Sequence, residues 1–200
     1  KIEIAKEAYE KIDTARALVD RYVKDKRVSY GITTGFGKFS DTVISEKETS
    51  KLQKNLIMSH SCGVGNPISI EASRGIMLLR IVNLCQGYSG ARRIVIDTLK
   101  EMLNKGVTPY IPEKGSLGAS GDLAPLAHMV LVVLGMGKAY YNGELMSGKD
   151  AMKKAGIPII PELSSKEGLA LINGTQVMTS IGAHALYDSI NLMKHLDIAG

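Results

Sequence analysis

The sequence predicts a mostly α-helical chain whose helices are interrupted by irregular, glycine-rich loops and one small β-hairpin. Apolar residues recur at helical spacing over long stretches, and the glycines gather between them. Aromatic residues are scarce, with two Phe and no Trp, whereas nine Met among many Ile, Leu and Ala suit helix packing. A hydrophobic share of 44% over 200 residues is enough for one sizeable core.

Residues 4–26 place Ala5, Ala8, Tyr9, Ile12, Ala15, Val19, Tyr22 and Val23 at helical spacing with charges between them. Tyr30-Gly31-Ile32-Thr33-Thr34-Gly35-Phe36-Gly37 follows, and its glycines exclude a regular element and imply a shaped loop. A second helix starts at Ser45, which has capping-box spacing to Glu48, and runs to about residue 61 with Leu52, Leu56 and Ile57 inward. Gly63, Gly65 and Pro67 break the chain before Ser69, which caps a third helix through Cys85. A fourth helix spans about 91–105 and stops at Gly106. Residues 107–122, with two Pro and three Gly, are expected to be irregular. A strongly apolar helix then runs from Asp122 or Leu123 to Met136, buried on most sides. Tyr141-Asn142-Gly143-Glu144 reads as a type I′ hairpin, the one clear β signal. A short helix over 148–155, a Pro-bounded strand-like piece and a long helix over 175–199 complete one unit without internal repeats.

The net charge of +5 is spread along the chain, as in Lys24-Asp25-Lys26-Arg27, without a basic run interleaved with aromatics, so no nucleic-acid partner is expected. The longest apolar run, 129–134, is too short to cross a bilayer. Cys62 and Cys85 make no disulfide framework and read as small buried residues of a reduced, cytoplasmic protein. Asn173-Gly174-Thr175 matches a glycosylation sequon, but no secretory signal precedes it. Four scattered His and no Cys/His spacing give no metal site. The chain starts at Lys1 without Met and stops at Gly200 inside a helical pattern, as a piece of a longer protein would.

The loops carry the chemistry, and the segment from Gly115 to His128 carries most of it. Gly121 has no Cβ, so its nitrogen can approach the carbonyl carbon of the small Ala119, while Ser120 between them can lose water. Cyclisation and dehydration would leave a five-membered electrophilic ring at the amino terminus of the next helix, whose dipole favours developing negative charge. The same turn also suits a plain helix start capped by Asp122 or a phosphate cradle. A P-loop is excluded, because no Gly-Lys-Ser/Thr follows.

Three segments, Tyr30 to Gly37, Gly115 to His128 and Lys166 to Gln176, resemble, in order, the signatures of the aromatic amino acid ammonia-lyases and aminomutases. The resemblance spans most of the chain. It implies that Ala119-Ser120-Gly121 becomes 4-methylideneimidazole-5-one (MIO), with no diffusible cofactor. It also implies that residues 1–200 are the amino-terminal, MIO-bearing domain of a longer, homotetrameric lyase, ending at the start of its central helical region. Tyr30 would exchange a proton during elimination. A phenol titrating at about 10 is a poor base at neutral pH, so that role needs electrostatic help. Asn173 would hydrogen-bond the ring or the substrate, although an Asn before Gly also suits a plain turn. His60, in Met58-Ser59-His60-Ser61-Cys62-Gly63, would line the substrate side-chain pocket. Phenylalanine-acting members carry Phe-Leu at the positions of Ser59-His60 and tyrosine-acting ones typically His-Leu. Ser-His is similar to the histidine-acting members and is shared by some tyrosine aminomutases. The implied reaction is elimination of ammonia from histidine to give trans-urocanate. His128 and His184 read as core histidines and His195 as a surface one. The family's carboxylate-binding Arg, its Glu near the imidazole and a further Tyr lie beyond residue 200, so these residues alone are expected to be inactive. Tyrosine or phenylalanine chemistry in the same family is the alternative. A helical interaction module would explain the helices but not Ala119-Ser120-Gly121 together with Tyr30 and Asn173, and a phosphate-binding enzyme stands third.

Overall fold

A computed structural model describes residues 1–35, 46–117 and 121–200, apart from the side chains of Glu46 and Lys47. Ser45, Phe36 and Gly37, and with them the capping box and the end of the first loop, lie outside the described residues.

The first helix, α1 (Lys6–Lys24), buries Ile12 and Val19 and ends just before Lys26, which takes φ 50°. In α2 (Glu46–His60), Leu56 and Ile57 face the core as their spacing requires; Leu52 is half-buried, and Gln53 is fully buried beside them. The break after α2 forms β1 (Val64–Pro67). Ser69 then caps α3 (Ile70–Cys85), its hydroxyl accepting from the Ala72 amide at 3.1 Å. Next comes α4 (Arg93–Lys105), which starts two residues later than its periodicity suggests and closes on Gly106 at φ 79°.

Residues 107–122 are not wholly irregular. They hold β2 (Thr108–Pro109) and β3 (Pro112–Lys114). Strand β3 pairs antiparallel with β1, and β2 extends the hairpin formed by β4 (Lys138–Tyr141) and β5 (Glu144–Ser147) in the order β2-β4-β5. The hairpin is therefore not the single β element. Pro109 sits on an edge strand and Pro112 starts one, positions that tolerate a missing N–H. The hairpin turn is as expected, with Asn142 at φ 50° and Gly143 at φ 81° between the paired Tyr141 and Glu144.

Helix α5 (Leu123–Val133) is the centre of the molecule. Eight of its 11 residues are buried, among them Pro125, which its place in the first turn allows. It ends three residues short of Met136, with Gly135 at φ 73°. Leu126, Met129, Val130 and Val133 pack in one cluster with Ile57, Ile76, Met77, Leu99, Met102 and Leu171. After α6 (Gly148–Lys154), residues 157–164 form no strand, although the Ile160 amide donates to the carbonyl of Val133 at 2.9 Å. The short α7 (Glu167–Ile172) follows, and then α8 (Gln176–Ala199).

Two side-chain expectations fail in burial. Cys62 is exposed and Cys85 only half-buried, because Cys62 lies in the break after α2 rather than on a packed face. His184 is exposed because α8 leaves the core after Ser180, whereas His128 is half-buried and His195 lies on the surface as read. Among the described residues, no helix is long and apolar enough to cross a membrane, and no three His, Cys, Asp or Glu residues are grouped to hold a metal.

Candidate active site

The amino terminus of α5 meets the α7–α8 turn at Gly121 and Asp122. The Asp122 amide donates to the carbonyl of Gly174 at 2.7 Å. Gly121 sits at φ 142°, and a Cβ there would fall within 3.0 Å of the Gly174 backbone. Only glycine satisfies both the conformation and the close approach. Of the sequence-derived triad, Gly121 is described, whereas Ala119 and Ser120 lie outside the described residues.

Asp122 was expected to cap its own helix, and the structure corrects that. Its carboxylate makes no cap bond to α5; instead Oδ2 accepts from the amides of Val177 and Met178, each at 3.0 Å, and Oδ1 accepts from the Ser116 hydroxyl at 2.8 Å. The first amides of α8 have no intrahelical acceptor, and a buried carboxylate at that end satisfies them while complementing the helix dipole. Asp122, only 2% exposed, thus ties residue 116, the start of α5 and the start of α8 together.

A second joint connects α2 to the same loop. The Gly63 amide donates to Nε2 of His128 at 3.0 Å. Gly115, at φ 138°, packs so closely that a Cβ would lie 2.8 Å from the Cα of Gly63. Accepting that bond requires an unprotonated Nε2, and burial holds the His128 pKa below its ordinary 6.5.

His60 ends α2, half-buried, with Nδ1 at 2.8 Å from the Leu56 carbonyl and 3.2 Å from the Ser59 hydroxyl. A carbonyl only accepts, so we assign the proton of neutral His60 to Nδ1, which leaves Nε2 as an acceptor. Asn173 ends α7 with an exposed side chain, its backbone extended at φ −88° and ψ 105°. Tyr30 stands on the turn after α1, 55% exposed, in a loop laced by Thr33, whose hydroxyl accepts from the Ser29 amide at 2.9 Å and donates to the Arg27 carbonyl at 2.6 Å. The structure therefore joins Gly121 to the turn that carries Asn173. Tyr30 and His60 are not part of that joint.

Sequence reasoning missed two buried charges around this turn. Glu167, fully buried at the start of α7, accepts from Arg92 through Nε and Nη2 at 2.7 Å each and from the Ser164 amide at 2.7 Å. Arg80, 1% exposed on α3, donates to the carbonyls of Ala170 and Asn173 and to Oε1 of Gln176. A signal for Arg80 existed: it continues the buried stripe of Ser73, Ile76, Met77 and Leu84, where an unpaired cation needs a reason.

Comparisons with known proteins bear on the family and the fold. The family model for aromatic amino acid lyases matches residues 1–200. A histidine ammonia-lyase of Fusobacterium nucleatum is 69% identical over 199 residues, covering 100% of this chain and 39% of that protein. Another, of Alkaliphilus oremlandii, is 63% identical and covers 99% of this chain and 39% of that protein. The chain thus spans about two fifths of the length of the curated relatives it matches. Among solved structures, Pantoea agglomerans phenylalanine aminomutase superposes with a TM-score of 0.87 at 43% identity, covering 94% of this chain and 36% of that one. Histidine ammonia-lyase of Trypanosoma cruzi gives 0.86 at 41% identity, with 94% and 35% covered. On its sequence and its fold alike, the chain belongs to the aromatic amino acid lyase family.

Proposed function

We propose that the protein carrying these residues is a histidine ammonia-lyase, eliminating ammonia from L-histidine to leave trans-urocanate. The observation that carries the reading is the 69% identity, over the whole chain, to a protein of that name. The Ser59-His60 pair at the end of α2 favours the same substrate. With its Nδ1 proton engaged by Leu56, His60 offers Nε2 to accept a hydrogen bond from an imidazole N–H.

Ala119, Ser120 and Gly121 are the residues proposed to condense into MIO. The described neighbourhood fits such a ring: Gly121 has no room for a Cβ beside Gly174, and the positive end of α5 begins at the following residues. The ring supplies an electrophile for the substrate amine. Tyr30, on its exposed turn, is proposed to exchange the proton at the substrate β-carbon, and Asn173 to donate a hydrogen bond into the site. The mature protein is proposed to be a cytoplasmic homotetramer that needs no metal. Residues 1–200, about two fifths of the length of the matched histidine ammonia-lyases, are proposed to be inactive alone.

The test is ammonia release by the full-length protein from histidine, tyrosine and phenylalanine in parallel, with Ser120→Ala as control. Urocanate from histidine, abolished by S120A, is expected. Release from tyrosine or phenylalanine, or formation of a β-amino acid, would overturn the substrate assignment. No turnover of any of the three by a folded protein would overturn the enzyme reading and favour an interaction module.

A further inference from the structure

We propose that Arg80 is a positioning residue, clamping the Asn173–Gly174 turn from behind so that Asn173 is held in register with the loop at Gly121. The inference rests on the role given to Asn173 above.

Burying a guanidinium is costly, and among the described residues Arg80 has no carboxylate partner to offset that cost. Burial alone pulls its pKa to about 10, so the group remains charged at neutral pH. Its bonds go instead to one short stretch of backbone and to two neutral side chains, Gln176 and, at 3.4 Å, Asn83 on its own helix. Nη1 donates to the Asn173 carbonyl at 3.1 Å and to Oε1 of Gln176 at 2.8 Å. Nη2 donates to the carbonyls of Ala170 and, at 3.1 Å, Asn173. The last carbonyls of a helix have no intrahelical donors and form its negative end, so a planar cation with several N–H groups is suited to that place.

The clamp spans a junction. Ala170 belongs to α7, Asn173 is its C-cap, and Gln176 is the first residue of α8. One guanidinium therefore fixes both ends of a three-residue linker that contains Asn173. The packing carries this further. A Cβ on Gly174 would collide with Nη1 of Arg80 on one side, and a Cβ on Gly121 would collide with the Gly174 backbone on the other. Gly174 is thus packed between Arg80 and its partner Gln176 on one side and Gly121 on the other. A shift of the guanidinium would bear on Gly174 and, through it, on the backbone packed at Gly121.

The test uses the full-length protein with Arg80→Lys, Gln176→Met, Asn173→Ala and the R80K/N173A double variant. Mass spectrometry of the tryptic peptide 115–138 first normalises each preparation to the fraction that has lost two waters. With that fraction matched, R80K is expected to lower kcat on histidine about 10- to 100-fold while KM changes less than about threefold, since a misplacement near 1 Å costs about 10²-fold. Q176M is expected to show the same signature more weakly. The double variant is expected to be no slower than N173A, because both changes remove one function. Wild-type kcat in R80K, or losses that multiply in the double variant, would overturn the proposal. If R80K does not fold, Q176M decides on the same criteria. If the wild-type protein does not turn over histidine, the functional reading has failed separately. Hydrogen exchange then decides: faster exchange at 174–178 in R80K, with α5 unchanged, supports the clamp, and unchanged exchange overturns it.

Discussion

Helices α5 and α8 are both rich in apolar residues, yet they meet opposite surroundings. In α5, Leu126, Ala127, Met129, Val130, Val132 and Val133 are fully buried. In α8, only Gln176, Val177 and Ser180 are buried, while Ile181, Leu186, Tyr187, Ile190, Leu192, Met193, Leu196 and Ile198 are exposed. Composition makes both into helices, but α5 finds neighbours along its whole length, whereas α8 packs on α3 only over its first turns, where the Ser180 hydroxyl donates to the Ala72 carbonyl at 2.9 Å. Large apolar side chains exposed around most of one helix mark a surface built for packing. It accords with the proposal that α8 begins the central helices of a longer, tetrameric lyase. The first turn of α8 is the exception, being held by Asp122 and Arg80, and that end adjoins the candidate site.

Substitutions sharpen the contrast, beginning with the largest effect. Leu126→Ala in α5 should cost roughly 2–5 kcal/mol in a denaturant titration, because it empties a packed core. Asp122→Asn should cost roughly 1–3 kcal/mol by leaving an amide of α8 or the Ser116 hydroxyl without its charged acceptor. Its effect should appear as faster hydrogen exchange at Val177 and Met178. Acid should act through His128. A histidine whose folded pKa is depressed contributes fully above its unfolded value, and the contribution is lost as pH falls through 6.5 towards the folded value. Stability measured from pH 7 downward should therefore decline, and His128→Gln should flatten that limb. The smallest effect belongs to α8: in the 200-residue chain Leu192→Ala should change stability by less than about 0.5 kcal/mol. A cost equal to that of Leu126→Ala would mean that the α8 face is already covered.

The helices and the β4–β5 hairpin were legible because each rests on local signals: period, Ser69 as a cap and Gly106 as a stop for helices, Asn142-Gly143 as the hairpin turn. Strands β1, β2 and β3 were not, since two to four residues carry no period and their pairing depends on partners distant in the chain. Helix α7 was missed for the same reason of length. At the candidate site, the motifs showed which residues matter but not how they connect. Asp122 looked like the cap of its own helix because N-capping is local, whereas the helix amides it actually caps lie 55 and 56 residues away. Arg80 interrupts an apolar stripe, and its purpose is visible only once α7 and α8 are in place.

The central proposal is that Ala119, Ser120 and Gly121 build an electrophile. The mass of the tryptic peptide 115–138 from the full-length protein tests it most directly. A peptide lighter by two waters, restored to full mass less one water or none by Ser120→Ala, is the predicted result. An unmodified peptide from a preparation that releases ammonia from histidine would contradict the account.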